Sequence, residues 1–277
     1  MKKEEIQRKI IDAVKRVKAE NPMAPSMTNN VTINLVANAQ LAVGGSAAMT
    51  YLDDEAEALG GMSDGFYINM GTMMPVYRDT FVKAAKFLSE NGKKWVLDPV
   101  GVGMGDVRMD ILRRMKDYKP AIVRANASEV MALSALWGAE EEGSAATARG
   151  VDSTDTVDAA EQAAVSLARL IGGAVEVSGE VDLITDGKTV VRSYGGSKYM
   201  EMITGAGCSL GGVTAVYACV ADPFTAAVTA ANVYNLAGRA ADGEVQGPGS
   251  FQVRFLDHLY MAGPEDVAAN PFDVKEL

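Results

Sequence analysis

The sequence predicts an α/β fold with a mostly parallel central sheet and an antiparallel hairpin at one edge of that sheet. Two observations carry this prediction. Short apolar runs that end in Gly, Asp, Pro or Asn alternate with helical patterns, as expected for βαβ units. The pair Asp186-Gly187 lies between the β-rich runs DLIT and KTVVRSY, which is a strong hairpin signal.

The predicted parallel strands are four, and each is followed by a polar or glycine residue. They are FYINMG (66–71), WVLDP (95–99), AIVRAN (121–126) and AVEVSG (174–179). Residues 76–90 have apolar positions at helical spacing and predict an amphipathic helix. After residue 208 the pattern is almost wholly helical, and Asp222-Pro223 marks a break between two helices.

The remaining segments favour a single domain over residues 1–277. Residues 21–52 carry no charge but contain many amide side chains, which predicts buried helices and loops, a subunit contact or a small-molecule pocket. Residues 202–221 are also uncharged but are interrupted by glycines, so neither stretch is expected to span a membrane. Residues 139–156 are polar and predict a mobile loop or lid.

Charge and cysteine content restrict the partners and the compartment. The chain has 26 Lys and Arg against 36 Asp and Glu, a formal net charge of −10, so nucleic acid is not an expected partner. The acidic charge does not exclude a bound nucleotide that is held by backbone amides and one Arg. The N-terminal segment predicts an amphipathic helix rather than a secretion signal. Cys208 and Cys219 lie on one predicted helix, roughly 16 Å apart, too far for a disulfide, which favours the cytoplasm.

Three predicted strands deliver polar side chains to one edge of the sheet. Ligands of parallel α/β sheets bind outside the carboxyl ends of the strands. The residues at those ends are Asp98, the pair Arg124 and Asn126, and Ser178, while Glu129 follows Asn126 by one helical turn. Carboxylates, a guanidinium and a hydroxyl suit MgATP, because Mg²⁺ needs few protein ligands when phosphate oxygens supply others.

Structural explanations of the same residues stay open at this point. Asp98-Pro99 is also a common turn, and Asn126 with Glu129 matches a helix capping box. Other chemistries lack the residues they need. His258 is the only histidine, so a Ser-His-Asp triad or a multi-histidine metal site is not expected. No G-x-x-x-x-G-K-[ST] run is present, so an ATP site would not be a P-loop.

A glycine-rich run, ITGAGCSLGGVTA (203–215), leads into a predicted helix that begins near Cys208. Gly205 and Gly207 let the backbone amides point toward one spot, and the helix dipole adds to them. The run therefore predicts an anion site suited to phosphoryl transfer. Three roles are open for Cys208: a nucleophile, a weak base, or a small residue that fits.

Together these motifs resemble the hydroxyethylthiazole kinases of thiamine salvage, a family with the ribokinase-like fold, a three-layer α/β/α arrangement. The resemblance runs along most of the chain. The matching motifs are SMTNNVTINLVAN (26–38), GGSAAMTY (44–51), NMGT (69–72), LDPVGVG (97–103), VRANASE (123–129), SGEVD (178–182), TGAGC (204–208) and GPGSFQ (247–252).

The resemblance implies transfer of the γ-phosphoryl group of ATP, with Mg²⁺, to the primary hydroxyl of 4-methyl-5-(2-hydroxyethyl)thiazole. It also implies a homotrimer with active sites between subunits. The residue roles it implies are substrate binding for Met49, Gly205 and Asn29, ATP binding for Arg124, Ser178, Asn126 and Gly207, metal binding for Asp98 and Glu129, and catalysis for Cys208. Ser178 stands where the family usually has Thr, a departure that removes only a methyl group.

Cys208 separates this family from its neighbours. Relatives in the wider fold have G-x-G-D, with the Asp placed to take the proton of the attacked hydroxyl. A thiol at a helix N-terminus is expected to have a lowered pKa, so a minor thiolate fraction could act as base. The alternatives are another small-alcohol kinase of the same fold, such as a hydroxymethylpyrimidine kinase, and a binding protein without turnover.

Overall fold

The computed structural model describes residues 1–139 and 157–277, so the predicted loop at 139–156 lies outside the described residues except for Ala139. The described residues form one nine-stranded sheet. Its strands are β1 (Met23–Met27), β2 (Ser46–Met49), β3 (Gly65–Asn69), β4 (Lys94–Asp98), β5 (Ile122–Asn126), β6 (Ala174–Ser178), β7 (Asp182–Thr185), β8 (Thr189–Ser193) and β9 (Phe272–Glu276).

The order of strands across the sheet is β2-β1-β3-β4-β5-β6-β7-β8-β9. The first six of these strands run parallel, and β7, β8 and β9 add as antiparallel neighbours. The turn between β7 and β8 contains Gly187 at φ +82°, and the Asp186 carboxylate accepts the amides of Lys188 and Thr189. The predicted parallel sheet and its antiparallel hairpin are therefore confirmed.

Helices cover both faces of the sheet. They are α1 (Lys3–Glu20), α2 (Ile33–Ala42), α3 (Asp53–Met62), α4 (Tyr77–Glu90), α5 (Asp106–Met115), α6 (Ala127–Trp137), α7 (Val157–Ile171), α8 (Ala206–Val220), α9 (Pro223–Asp242), α10 (Pro248–Met261) and α11 (Pro264–Ala269). One apolar core lies between the sheet and α1, α2, α8, α9 and α10, and the other between the sheet and α4 to α7. The three-layer arrangement is confirmed.

Strand register gathers polar residues on the face that α8 covers. Side chains two residues apart on a strand share a face, and paired residues on neighbouring strands lie side by side. Asn69 pairs with Asp98, and Arg124 pairs with Glu176. Val96 pairs with Ile122, so two residues further on Asp98 lies beside Arg124. Four adjacent strands thus carry one lateral row: Asn69, Asp98, Arg124 and Glu176.

Three strands were not predicted from the sequence. The uncharged stretch at 21–52, predicted as buried helices and loops, contains β1 and β2 as well as α2. The C-terminal segment, predicted to be helical, ends in β9, which pairs with β8 and forms the sheet edge beyond the hairpin. Among the described residues, no helix is both long and apolar enough to cross a membrane.

Candidate active site

The centre of the polar row is an ion pair between Asp98, the last residue of β4, and Arg124 in β5. One Arg124 nitrogen donates to Asp98 Oδ2 at 3.1 Å, and another donates to the Ser178 hydroxyl at the end of β6. Asp98 is fully buried and Arg124 nearly so. Within the described part of the chain, Asp98 Oδ1 and Arg124 Nε have no hydrogen-bond partner. The pair therefore keeps unused bonding capacity.

The pair carries both of its charges at neutral pH. Burial raises the pKa of Asp98 to about 6, with a further rise from the Glu129 charge, while Arg124 opposes the rise. Burial alone would lower the pKa of Arg124, but Asp98 and the other acidic neighbours raise it above its ordinary value. Arg124 is thus a permanent cation held beneath the surface of the sheet edge.

A chain of hydrogen bonds runs from Asp98 to Cys208, in the glycine-rich run at the start of α8. The Tyr67 hydroxyl donates to Asp98 Oδ2 at 2.9 Å and accepts the Asn69 amide at 2.9 Å. Asn29 Nδ2 donates to Asn69 Oδ1 at 2.9 Å and lies 3.8 Å from Cys208 Sγ. The thiol is therefore tied, through three side chains, to the carboxylate of the ion pair.

Asn29 is fully engaged in this arrangement. Its Oδ1 accepts the backbone amides of Val31 and Thr32 at 3.1 and 3.2 Å, an Asx turn that begins the approach to α2. Its Nδ2 serves both Asn69 and Cys208. These contacts show that Asn29 positions Asn69 and Cys208, while the substrate-binding role that the resemblance implies for Asn29 stays a prediction.

The Cys208 thiol is less acidic than the sequence led us to expect. Burial raises its pKa, and the nearby negative charge of Asp98 raises it further, while Arg124 lowers it. The expectation of a lowered pKa at this helix terminus is wrong, because burial and Asp98 outweigh the dipole of α8. At neutral pH Cys208 is a protonated thiol.

The first turn of α8 packs directly on the Arg124 guanidinium. Gly205, the residue before the helix, has φ +96°, a conformation natural to glycine, and no side chain caps the helix. A Cβ on Gly207 would lie 2.5 Å from Arg124 Nη2, so this close approach requires glycine. The first turn of α8 and a buried guanidinium meet at one place, which makes it a candidate anion site.

Asn126 and Glu129 form the capping box that the sequence left open as a structural explanation. Asn126 Oδ1 accepts the Glu129 amide at 2.9 Å, and Glu129 Oε2 accepts the Asn126 amide at 3.0 Å. Glu129 Oε1 accepts the Gly101 amide at 3.0 Å. The capping role is real, and it also fixes the buried Glu129 carboxylate close enough to Asp98 to shift its pKa.

The donor set fits a magnesium ion that is shared with phosphates. Asp98 Oδ1 is a hard oxygen without a protein partner, and the Glu129 carboxylate lies nearby. In the described residues, no group of three or more His, Cys, Asp or Glu side chains could hold a metal. Two carboxylates suffice for Mg²⁺ only when phosphate oxygens and waters complete the shell.

The candidate substrate residues lie at the same sheet edge. Met49 ends β2, pairs in register beside Ser26 of β1 and packs, half-buried, against the core beneath α2 and α8. A Cβ on Gly205 would lie 2.9 Å from Thr32, so the glycine loop touches the start of α2. Met49, Gly205 and Cys208 thus belong to the half of the edge nearest β1 and β2.

Tyr67 and Asn69 are the site residues that sequence reasoning missed. They lie two positions apart on β3, so both side chains face α8, and each is fully buried. The only available signal was the polar Tyr-x-Asn spacing inside an apolar strand, FYIN. Such a pattern marks two side chains on one face but names no partner.

The comparisons with known proteins agree with this architecture. A ribokinase-like superfamily protein of solved structure from Enterococcus faecalis superposes with a TM-score of 0.62 at 12% identity, covering 88% of each chain, which shows the fold. The chain therefore has the ribokinase-like fold, with a candidate anion site at the carboxyl edge of the sheet.

The family is shown by closer matches. The model of the hydroxyethylthiazole kinase family matches residues 14–265. A hydroxyethylthiazole kinase of Bifidobacterium animalis subsp. lactis is 48% identical over 279 residues, 96% of this chain and 91% of the relative. The structure of a hydroxyethylthiazole kinase protein from Pyrococcus horikoshii superposes with a TM-score of 0.84 at 31% identity, covering 97% and 98% of the two chains. The chain belongs to the hydroxyethylthiazole kinase family.

Proposed function

We propose that the protein transfers the γ-phosphoryl group of ATP to the primary hydroxyl of 4-methyl-5-(2-hydroxyethyl)thiazole, the phosphorylation used in thiamine salvage. Family membership supports the reaction. The observation that carries it in the fold is the contact between the first turn of α8 and the buried Arg124 guanidinium. That contact concentrates positive potential where a transferring phosphoryl group would gain charge.

The ATP phosphates lie, in this proposal, between α8 and the ends of β5 and β6. Arg124 and the Ser178 hydroxyl bind phosphate oxygens, and the amides at Gly207 and its neighbours complete the cradle. Asn126 contributes indirectly, since its side chain caps α6 and orients Glu129. Ser178 already accepts a hydrogen bond from Arg124, so the pair can turn toward phosphate together.

Asp98 and Glu129 are the residues that would hold Mg²⁺ with the phosphates. The ion would neutralise charge on the phosphates and orient them for in-line transfer. Asp98 would then exchange part of its bonding to Arg124 for bonding to the metal. The unpartnered Asp98 Oδ1 supports this assignment.

The acceptor hydroxyl reaches the phosphate from the side of Cys208. Met49 and Gly205 contact the thiazole, and the hydroxyl oxygen forms a bond to the γ-phosphorus while the bond to the bridging oxygen of ADP breaks. Because the thiol is protonated at neutral pH, Cys208 orients the hydroxyl and does not act as its base. The proton of the hydroxyl leaves late, after most of the bond to ADP has broken, and goes to an oxygen of the transferred phosphoryl group. Asn29 holds the thiol in place.

We also infer a homotrimer with active sites between subunits and a cytoplasmic location. The family resemblance supports the trimer, and the two free thiols support the compartment. Light scattering on the purified protein measures the mass in solution. A mass of one subunit at working concentration would contradict the trimer.

A coupled ADP-release assay with the thiazole alcohol and MgATP tests the function. Saturable ADP release that needs both the alcohol and Mg²⁺ is the expected result, and Asp98→Asn serves as the inactive control. Turnover restricted to a hydroxymethylpyrimidine would instead indicate the other kinase of this fold. Tight binding of the thiazole alcohol without ADP release would indicate a binding protein.

A further inference from the structure

Glu176 stands next to Arg124 in the lateral row of polar residues, on the side opposite Asp98. The two side chains are register partners on β5 and β6. Glu176 is fully buried beneath α8, where its Oε2 accepts the Thr214 hydroxyl at 2.8 Å. Its Oε1 has no hydrogen-bond partner among the described residues. Arg124 is therefore flanked by a carboxyl group on each side.

None of the roles assigned above uses Glu176. It makes no hydrogen bond to the proposed metal ligands, since one oxygen is bound to Thr214 and the other is unpartnered. Burial of a carboxyl group with one oxygen unpartnered costs free energy, and this cost is smaller when the group is protonated and neutral. Because Glu176 lies beside Arg124, its charge can change how strongly Arg124 binds phosphate.

We propose that Glu176 is a positioning residue of the nucleotide site that acts through Arg124. When Glu176 is ionised, it partly neutralises the Arg124 charge and so weakens the binding of nucleotide phosphates. This inference rests on the proposed function, because it takes Arg124 as the cation that binds phosphate. When Glu176 is neutral, Asp98 alone balances Arg124. When Glu176 is ionised, two buried carboxylates compete with phosphate for one guanidinium.

The titration of Glu176 falls in an accessible range. Burial raises its pKa to about 8, while the Thr214 hydrogen bond and Arg124 lower it and the charges of Asp182 and Asp98 raise it. Below that pH the side chain is neutral, and above it the side chain is ionised. Nucleotide affinity should therefore fall as pH rises through about 8.

The other titratable groups around Glu176 keep their charge in that range. Burial raises the pKa of Asp98 and of Asp182 to about 6, so both are ionised above neutrality. Burial also raises the pKa of Cys208, Tyr67 and Tyr234 above their ordinary values, so none of the three ionises more easily than it would in water. Arg124 stays charged throughout.

Calorimetric binding of a non-hydrolysable ATP analogue with Mg²⁺, at about pH 7 and about pH 9, tests the inference. In the wild type we expect the Kd to rise roughly fivefold between the two, because about one pKa unit of coupling gives a tenfold change only when the titration is complete. Glu176→Gln should bind tightly at both. Thr214→Val removes a hydrogen bond that lowers the pKa of Glu176. In this variant the Kd for the ATP analogue should therefore begin to rise at a higher pH than in the wild type.

A matched control and the kinetics exclude a purely structural effect. Glu90→Gln makes the same change on an exposed position of α4 and should keep the wild-type pH dependence. In assays of turnover, Glu176→Gln should abolish the rise of KM for ATP with pH and leave kcat nearly unchanged. A fold defect would instead lower kcat at every pH.

Two results would overturn the inference. One is a wild-type Kd that is equal at both values of pH, a measurement that needs no variant to fold. The other is a Glu176→Gln protein that keeps the wild-type rise. Absence of nucleotide binding at any pH contradicts the proposed function and this inference with it, whereas tight binding that ignores pH contradicts the inference alone.

Discussion

Asp98 and Arg124 share a hydrogen-bonded ion pair of 3.1 Å in which both side chains are buried. Each charge stabilises the other at this depth, and removal of one partner would leave the other charge buried and uncompensated. The pair is also incomplete, because Asp98 Oδ1 and Arg124 Nε have no partners in the described part of the protein. Stability and ligand binding are therefore coupled at these two residues.

Arg124→Met should lower the free energy of unfolding at pH 8 by about 3 to 5 kcal/mol, because it leaves a buried carboxylate without its cation. The loss should shrink at about pH 5, where Asp98, whose pKa is about 6, takes up a proton. Denaturant titrations at both pH values measure this. The double variant Asp98→Asn with Arg124→Met removes both charges and should recover most of the loss; if it is no more stable than the single variant, charge pairing is not the cause.

Gly207→Ala should lower kcat/KM for ATP by roughly tenfold or more, because the added Cβ would lie 2.5 Å from Arg124 Nη2 and displace the guanidinium. Gly249→Ala is the matched control. Gly249 lies exposed in α10, and nothing is within 4 Å of its added Cβ. Steady-state kinetics should find that control unchanged, and equal kinetics for the two variants would refute the close-approach argument.

Tyr67→Phe should lower the free energy of unfolding by about 1 to 3 kcal/mol, because Asp98 loses a donor and the Asn69 amide loses its acceptor. The matched variant is Tyr77→Phe. The Tyr77 hydroxyl is buried without a partner in the part of the chain that the structure describes, so its removal should cost nothing. Thermal unfolding compares the two, and a larger loss for Tyr77→Phe would be inconsistent with the proposed hydrogen-bond chain.

Cys208→Ser should retain a substantial part of turnover, because a protonated thiol and a hydroxyl can both orient the acceptor alcohol. Cys208→Asp should keep or raise turnover, since a carboxylate is a stronger base than a thiol. Initial rates with saturating alcohol measure both. Complete loss in Cys208→Ser, with a phosphocysteine trapped in the wild type, would establish Cys208 as a nucleophile.

Local sequence patterns were enough for the strands that are flanked by clear breaks. Runs such as WVLDP and AIVRAN combine β-rich residues with a terminal Asp or Asn, and β4 and β5 lie where they predict. The strands β1 and β2 have the sequences MAPSM and SAAM, with a proline and no β-branched residue. They are strands because β1 pairs in parallel with both β2 and β3, and no local sequence pattern shows that pairing.

The candidate site divides in the same way. Asp98, Arg124 and Ser178 could be predicted together, because strand ends of a parallel sheet meet at one edge. Tyr67, Asn69 and Glu176 lie inside strands and matter through lateral neighbours, so their roles depend on register. The pKa of Cys208 depends on burial and on Asp98, which is 110 positions away in sequence, and the helix terminus alone predicted the wrong direction.

The lateral row has a consequence for which changes the protein can tolerate. Because side chains alternate with a period of two, removal of a single residue early in β5 would turn Arg124 toward α6 and bring apolar Val123 beneath α8. The packing of Val96 and Ile122 in the core and the aim of Arg124 are therefore one constraint. A shift of the strand by one residue would disrupt the candidate anion site and the core together. The hydrophobic packing that fixes the register of β5 therefore also fixes the position of Arg124.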